Sequence, residues 1–394
     1  MRDAYIVTSV RTPGCRRNKG AFRDTRPEDL LSFILNAAME KTPNLDKKEV
    51  DDIMVGCSFP EAEQGMNIGR IGAQIAGFPD EVSGATINRF CASGLEAIAQ
   101  SSMRVMAGWS DVTIGGGVES MTMVAMGGNM PRPHPGYTVD RPDLYTSMGI
   151  TAENVANRYN ITREAQDEFA YNSQMKAAKA KAGKLYKEIV PTPATRFVKQ
   201  EAGTFKSETF LQDFDDGIRE STTIEGLAKL RAVFAAGGSV TAGNSSQTTD
   251  GAACSIIMCE DKVKELGLKP VAKLKYYTTV GCRADEMGVG PRYAIPKLLK
   301  LAGLSIDDIG VWEINEAFAS QALYCIRELG IEKYMDRINI HGGAIALGHP
   351  LGCTGAKLCA QILTNMQDLG VKYGVESMCI GGGMGAAVLF ELCE

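Results

Sequence analysis

Two kinds of spacing take turns along this chain. Short runs of apolar and β-branched residues, as strands require, are followed by stretches in which apolar side chains recur at helical intervals. LSFILNAAMEKTPNLDKKEVDDIMVGC (31–57) reads in this way as a helix, a linker, an Asp-Asp-Ile step and an apolar strand. IPKLLKLAGLSIDDIGVWEINEAF (295–318) repeats that order. Asp52-Ile53 matches Asp308-Ile309 at an offset of 256, Ser93-Gly94 matches Thr354-Gly355 at 261, and Ile114–Gly117 matches Ile380–Gly383 at 266. Three matches in one order, with slowly rising offsets, predict two copies of one α/β unit.

Residues 119–249 belong to neither copy. They open rich in Gly, Pro and Met (MTMVAMGGNMPRPHPG) and continue into helical patterns. Thr162 to Gly183 is predicted as one helix: a threonine cap, Glu164, Asp167 and Glu168 early, Lys176, Lys179 and Lys181 late, and a terminal glycine. That charge gradient matches the helix dipole. The expected organisation is layered α/β packing, with one unit over 1–118, an inserted segment over 119–249 and a second unit over 250–394.

Composition narrows the class. A chain of 394 residues with 44% hydrophobic and 23% charged residues is that of a globular protein with a large core. A net charge of −5 and 7% aromatic residues give no footprint for nucleic acid or an anionic membrane. Eleven cysteines without a Cys-x-x-Cys pair argue against structural zinc and against a disulfide framework. No apolar run approaches a membrane span. The first residues lead straight into a strand pattern, so the expected compartment is reducing and cytoplasmic.

Four stretches carry candidate chemistry. In INRFCASGLEAIAQ (87–100), Cys91 falls where a β-branched run stops and an amphipathic helix starts. Unpaired N–H groups at a helix start favour an anion, so the thiol is expected to ionise more easily there. Taken alone, a cysteine is more often a small buried hydrophobe. WEINEAFASQA (312–322) places Asn315 and Glu316 after an apolar strand, and NIHGGAIALGHPLGCTGAK (339–357) sets His349 between Gly348 and Pro350 in a tight loop. SMCIGGGMGAA (377–387) puts Cys379 just before a glycine run in which backbone can approach a ligand. A pseudo-twofold axis between the two units would turn the first and third of these stretches towards each other. A thiol, an imidazole, an amide and a second thiol suit covalent acyl transfer with thiol acid–base chemistry. His134 reads as a loop residue, and no GxGxxG opens a helix after the first strand, so a dinucleotide fold finds no support.

The motifs NRFCASGLEAI, GGVESM, TAGNSSQTTDGA, NEAF, GGAIALGHPLGCTGA and CIGGGMGA, in that order, make the chain resemble the thiolase family along its whole length. The resemblance implies a duplicated five-layer αβαβα sandwich, each half with a five-stranded sheet, and a loop domain inserted in the first half that binds coenzyme A. It makes Cys91 the acylated nucleophile and His349 its activator. His349, with a water held by Asn315, would line a first oxyanion hole, and Cys379 would be the acid/base. The N–H groups of Cys91 and Gly381 would form a second oxyanion hole. For CoA it points to Arg219 near the nucleotide and Ser246 on the pantetheine. Met148, Phe234, Met287, Ala317 and Phe318 would shape the tunnel.

The family function implied is thiolysis of a 3-ketoacyl-CoA, with CoA as co-substrate, no resident cofactor and no metal, in a homodimer or homotetramer. Ser147 stands where short-chain synthetic members commonly have His, which favours the degradative reading. Two alternatives are an acetoacetyl-CoA thiolase working in the synthetic direction and a non-catalytic acyl-CoA-binding or scaffold subunit. The chain departs from the family at His341, usually Asn, which bears on hydrogen bonding around the active-site loop. Catalysis by standing thiolates predicts a rate that falls at acid pH.

Overall fold

The computed structural model describes residues 2–393. Its first half contributes strands β1 (Tyr5–Arg11), β2 (Cys15–Arg16), β3 (Asp52–Gly56), β4 (Ser83–Ile87) and β5 (Val112–Ser120). The insertion carries a separate hairpin, β6 (Thr192–Lys199) and β7 (Phe205–Gln212). Then follow β8 (Thr249–Met258), β9 (Ala272–Gly281), β10 (Val311–Ile314), β11 (Tyr373–Ile380) and β12 (Met384–Leu392). The strand order is β10-β11-β12-β9-β1-β8-β5-β3-β4, with β2 on β8. A short antiparallel contact, Tyr5 with Lys273 and Ile6 with Ala272, joins the sheets of the two halves.

Four strands of each half match in order and direction. Parallel β3 and β5 followed by antiparallel β8 and β1 correspond to parallel β10 and β11 followed by antiparallel β12 and β9. Among the described residues the second half has no full counterpart of β4; one parallel bridge, Trp312 to Ile338, takes its place. It therefore has four strands where five were expected.

The duplication is real, but two of the three string matches are out of register. The turns Lys47–Glu49 and Ile306–Asp308 lie 259 residues apart, and each is closed by a capping box, Asp46 with Glu49 and Ser305 with Asp308. β3 and β10 start at the same spacing of 259. The helices Ser93–Ala107 and Thr354–Leu369 start 261 apart, as do β5 and β11. Asp52 is thus not the partner of Asp308. Gly115–Gly117 lies within buried β5, whereas Gly381–Gly383 forms the turn after β11. Only the Ser93-Gly94 match with Thr354-Gly355 stands, and it has a steric cause. A Cβ on Gly94 would lie 2.8 Å from Gly352 O, and one on Gly355 would lie 2.4 Å from Leu95 N, so glycines let the two helix starts touch.

Five layers result. The Pro27–Glu40 and Ile68–Ile75 helices cover the outer face of the first sheet, with Leu31 and Ile34 against Ile53 and Ile256. The Ser93–Ala107 and Thr354–Leu369 helices form the middle layer, where Leu95 and Ile362 meet Ile257 of one sheet and Val388 of the other. Ile256 and Ile257 serve different layers because neighbouring strand residues face opposite ways. The Gly290–Ala302 and Ala319–Glu328 helices close the second sheet around Trp312 and Leu389.

The boundary expected at 250 moves. β8 pairs with β5 on one side and β1 on the other, so the first sheet is incomplete without residues 249–258. The insertion splits the first half, as the family resemblance implies. Its Arg163–Ala182 helix runs as predicted, with Thr162 Oγ1 accepting from Ala165 N–H and Gly183 at the end. That helix buries Phe169 and Ala170 in the core of the second half. Arg11 of β1, 0% exposed, fastens the insertion to the first half through Glu188 (3.0 Å) and Asp215 (2.7 Å).

Candidate active site

Local hydrogen bonds build the turn that carries Cys91. β4 stops at Ile87, and Asn88 Oδ1 accepts from Phe90 N–H at 2.8 Å. Phe90 takes a left-handed φ of 43°, held because Ser93 Oγ donates to its carbonyl at 2.6 Å while accepting from Arg89 N–H at 2.9 Å. Cys91 follows in a tight turn, one residue before the residue that caps the Ser93–Ala107 helix. The motif order Asn-Arg-Phe-Cys-Ala-Ser is thus a turn specification. The thiol sits at its apex.

The His349 turn is built differently. Gly348 has a φ of +86°, and a Cβ there would lie 2.2 Å from the Thr249 side chain. His349 N–H donates to Gln247 C=O at 2.9 Å. Its Nδ1 lies 2.5 Å from Thr354 Oγ1 and its Nε2 lies 3.4 Å from Asn315 Nδ2. An amide donor at Nε2 assigns the neutral tautomer with its proton on Nδ1, donated to Thr354. Asn315 Oδ1 is buried without a protein partner, an acceptor suited to a water. Cys379, buried near the end of β11, packs with Met287, Ala317 and Phe318, and its sulfur lies 3.7 Å from Gln321 Oε1.

Burial sets the charge states. It pushes the Cys91 thiol up to about 11, although the N–H groups of Gly381 and of Cys91 itself pull the other way. Burial, helped by the positive charge of Lys357, pulls His349 down to about 3. Cys379 is pushed well up by burial, and the nearby Cys91 adds to this. This corrects the expectation of an easily ionised Cys91: one N–H of its own turn and the Gly381 N–H from the other half do act on the sulfur, but desolvation outweighs them. The resting pair is a neutral thiol and a neutral imidazole. The neutral imidazole keeps a lone pair with which it can accept the Cys91 proton in an internal transfer.

The structure brings most of the predicted residues into one cavity of about 100 Å³. Cys91, His349, Met148, Phe234, Ser246, Met287, Ala317 and Phe318 all line it. Gly381 borders Met148, since a Cβ on it would lie 3.6 Å from Met148 Sδ. Asn315 and Cys379, like Gly381, are not in the lining itself but touch residues that are, His349 for the first and Met287, Ala317 and Phe318 for the second, whereas Arg219 lies apart. It lines a separate open depression with Glu220, Thr222 and Leu230, so any role is at the outer end of an extended ligand. His341 does not line the cavity either. Its half-buried ring meets Tyr186 edge-on, and the loop is held by Asn339, which donates to Ile314 C=O (2.9 Å) and Glu316 Oε1 (2.8 Å).

Sequence reasoning missed Met121, Met126, Gln247 and Leu351 in the lining, Thr354 on the imidazole and Gln321 on Cys379. A hydroxyl five residues past His349, across one helical turn, is a signal that could have found Thr354. Among the described residues no group of three His, Cys, Asp or Glu side chains is placed to hold a metal ion, and no helix is long and apolar enough to cross a membrane.

Comparison with known proteins adds an independent line. The family description "Thiolase, N-terminal domain" matches residues 4–261, and "Thiolase, C-terminal domain" matches residues 268–392. The chain is 46% identical to a 3-ketoacyl-CoA thiolase of Bacillus subtilis (strain 168), covering 100% of both. It is 44% identical to a peroxisomal 3-ketoacyl-CoA thiolase of Homo sapiens, over 99% of this chain and 91% of that one. Among solved structures, the dimeric peroxisomal thiolase of Saccharomyces cerevisiae superposes with a TM-score of 0.88 at 38% identity, covering 100% of this chain and 98% of the other. The acetyl-CoA acetyltransferase of Bacillus anthracis also reaches a TM-score of 0.88, at 34% identity over 100% and 99% of the two chains.

Proposed function

The chain belongs to the thiolase family, and on that premise we infer that it is an acyltransferase cleaving a 3-ketoacyl-CoA with CoA to acetyl-CoA and a shortened acyl-CoA. The observation that carries this reading is a single cavity lined by both Cys91 and His349, each neutral at rest.

His349 Nε2 takes the Cys91 proton as the sulfur attacks the C3 carbonyl of the substrate. The oxyanion formed is held by the N–H groups of Cys91 and Gly381, donors worth about 10²–10³-fold each in such sites. When the C2–C3 bond breaks, acyl-Cys91 remains and the acetyl-CoA enolate leaves, its oxygen met by the protonated Nε2 of His349 and a water on Asn315. The Cys379 thiol protonates C2. Incoming CoA then gives its thiol proton to the Cys379 thiolate and attacks the acyl-Cys91 carbonyl. Cys91 departs as thiolate and recovers its proton from His349. Every proton lent in the first half returns in the second.

Ser246, Phe234, Met148, Met287, Ala317 and Phe318 line the path to the sulfur and suit the pantetheine and acyl parts of the substrate, with Arg219 towards the nucleotide. A homo-oligomer in the cytoplasm completes the reading, supported by the dimeric yeast relative and the bacterial one. The acetyl-CoA acetyltransferase among the structural relatives supports a second reading, turnover of the four-carbon substrate in the synthetic direction. One experiment separates them. Thiolysis is measured over 3-ketoacyl-CoA substrates of increasing length, with peptide mass analysis of Cys91 after exposure to acyl-CoA. Turnover of long chains and an acyl adduct on Cys91 are expected; turnover confined to the four-carbon substrate selects the second reading, and a competent preparation with no adduct defeats both.

A further inference from the structure

Glu119 is the penultimate residue of β5 in the first half, and no step above uses it. It is 0% exposed. Its Oε2 accepts from Ser58 N–H at 2.8 Å and from Gly352 N–H at 2.7 Å. Its Oε1 accepts from Gln64 Nε2 and more loosely from Phe59 N–H at 3.4 Å and the Cys57 thiol at 3.8 Å. Burial raises the carboxyl's pKa and these N–H groups oppose the rise. A carboxyl met only by donors is suited as the ion, because a protonated oxygen would face an N–H.

What Oε2 joins is specific. Ser58 is tied to the turn that bears the nucleophile: its Oγ donates to Phe90 C=O at 2.8 Å, and its own C=O accepts from Asn88 Nδ2 at 2.9 Å. Gly352 lies three residues past His349. A Cβ on Gly352 would sit 2.6 Å from both Glu119 Oε2 and Ser58 N, so glycine lets that turn close onto the carboxylate. One oxygen atom thus connects the turn before Cys91 with the turn after His349, although these come from different halves of the chain.

We propose that Glu119 is a positioning residue which, through Ser58 and Gly352, sets the separation of Cys91 from His349 and so the efficiency of proton transfer between them. The proposal rests on the thiolytic reading for its role in turnover, but not for its effect on Cys91 reactivity. Glu119→Gln keeps the size of the side chain and places an NH₂ against donors that now meet an acceptor. Its kcat is expected to fall about 10²-fold, the scale of a displacement near 1 Å, with KM within about threefold. Alkylation of Cys91 by iodoacetamide at pH 7 is expected to slow about tenfold, as a base held out of place predicts. Removing a nearby negative charge would by itself speed alkylation, so the sign separates the two effects.

Ser58→Ala deletes only the link to Phe90 and leaves the carboxylate in place. It is expected to lower kcat about tenfold, again with KM unchanged, and it decides the matter where Glu119→Gln does not fold. Gln64→Ala, on the other oxygen, is expected to stay within about threefold of wild type. Wild-type kcat and alkylation in folded Glu119→Gln, or in Ser58→Ala, overturn the proposal. So does a loss of thermal stability with kcat per folded molecule unchanged, which marks Glu119 as a structural prop. A wild-type protein that performs no thiolysis defeats the functional reading instead, and the alkylation rates still judge Glu119.

Discussion

The two helix starts that meet at the centre of the molecule are copies of each other, yet they do different chemistry. At the spacing of 261 that relates the Ser93–Ala107 and Thr354–Leu369 helices, Cys91 corresponds to Gly352, and His349 corresponds to Asn88. Neither reactive group has a reactive counterpart. The repeat supplies two facing turns, and each half fills a different place in its turn. The hydroxyls show the same divergence. Ser93 Oγ serves the backbone of its own turn, while Thr354 Oγ1, at the equivalent position, holds the imidazole. At β5 and β11, aligned by the same shift, Glu119 corresponds to Ile380. Duplication provides the scaffold. Asymmetric substitution provides the site.

The largest test of this division compares the two sulfurs. Cys91→Ala is expected to give no acylated protein by mass spectrometry and to lose kcat by about 10⁴-fold or more, because the covalent route is gone. Cys379→Ala is expected to keep the acyl adduct on Cys91 while thiolysis falls about 10²–10⁴-fold, the usual reach of an acid–base group. Equal loss of the adduct in both variants would break the assignment of separate roles.

A finer test addresses the paired hydroxyls. Thr354→Val keeps the volume but leaves His349 Nδ1–H without an acceptor, and kcat is expected to fall about tenfold at unchanged KM. Ser93→Ala is expected to lower it less than Thr354→Val does, since only a turn hydrogen bond is lost. The reverse ranking would show that the two positions have not diverged as described.

The smallest expected effect is in pH. With His349 neutral down to about 3 and Cys91 neutral up to about 11, neither group changes charge in the free protein across the physiological range. The rate of Cys91 acylation is therefore expected to be nearly flat from about pH 5 to pH 9. This reverses the acid fall predicted from a standing thiolate. A rise with a midpoint near the ordinary thiol value of about 8.5 would restore that simpler picture.

Much of this was legible in the residues. The Arg163–Ala182 helix and the strand before Cys91 follow from caps and periodicity, and the cavity positions of Met148, Ser246 and Phe318 agree with what the family resemblance implies. The string matches Asp52 with Asp308 and Ile114 with Ile380 misled, because short strings of common residues recur by composition alone. The capping boxes at Asp46 and Ser305 are the better register marks, since each needs particular side chains at a fixed separation.

What the amino-acid order determined by itself is therefore short-range: turns, caps, strand faces, and which residue types stand beside one another. Only the tertiary structure decided that β8 completes the first sheet, that Arg219 lies outside the catalytic cavity and that Glu119 spans two turns from opposite halves. It also decided that Cys91 rests as a thiol. The reason is that desolvation sums over atoms brought together from distant parts of the chain, and at Cys91 it exceeds the pull of the residue's own N–H and of the Gly381 N–H from the other half.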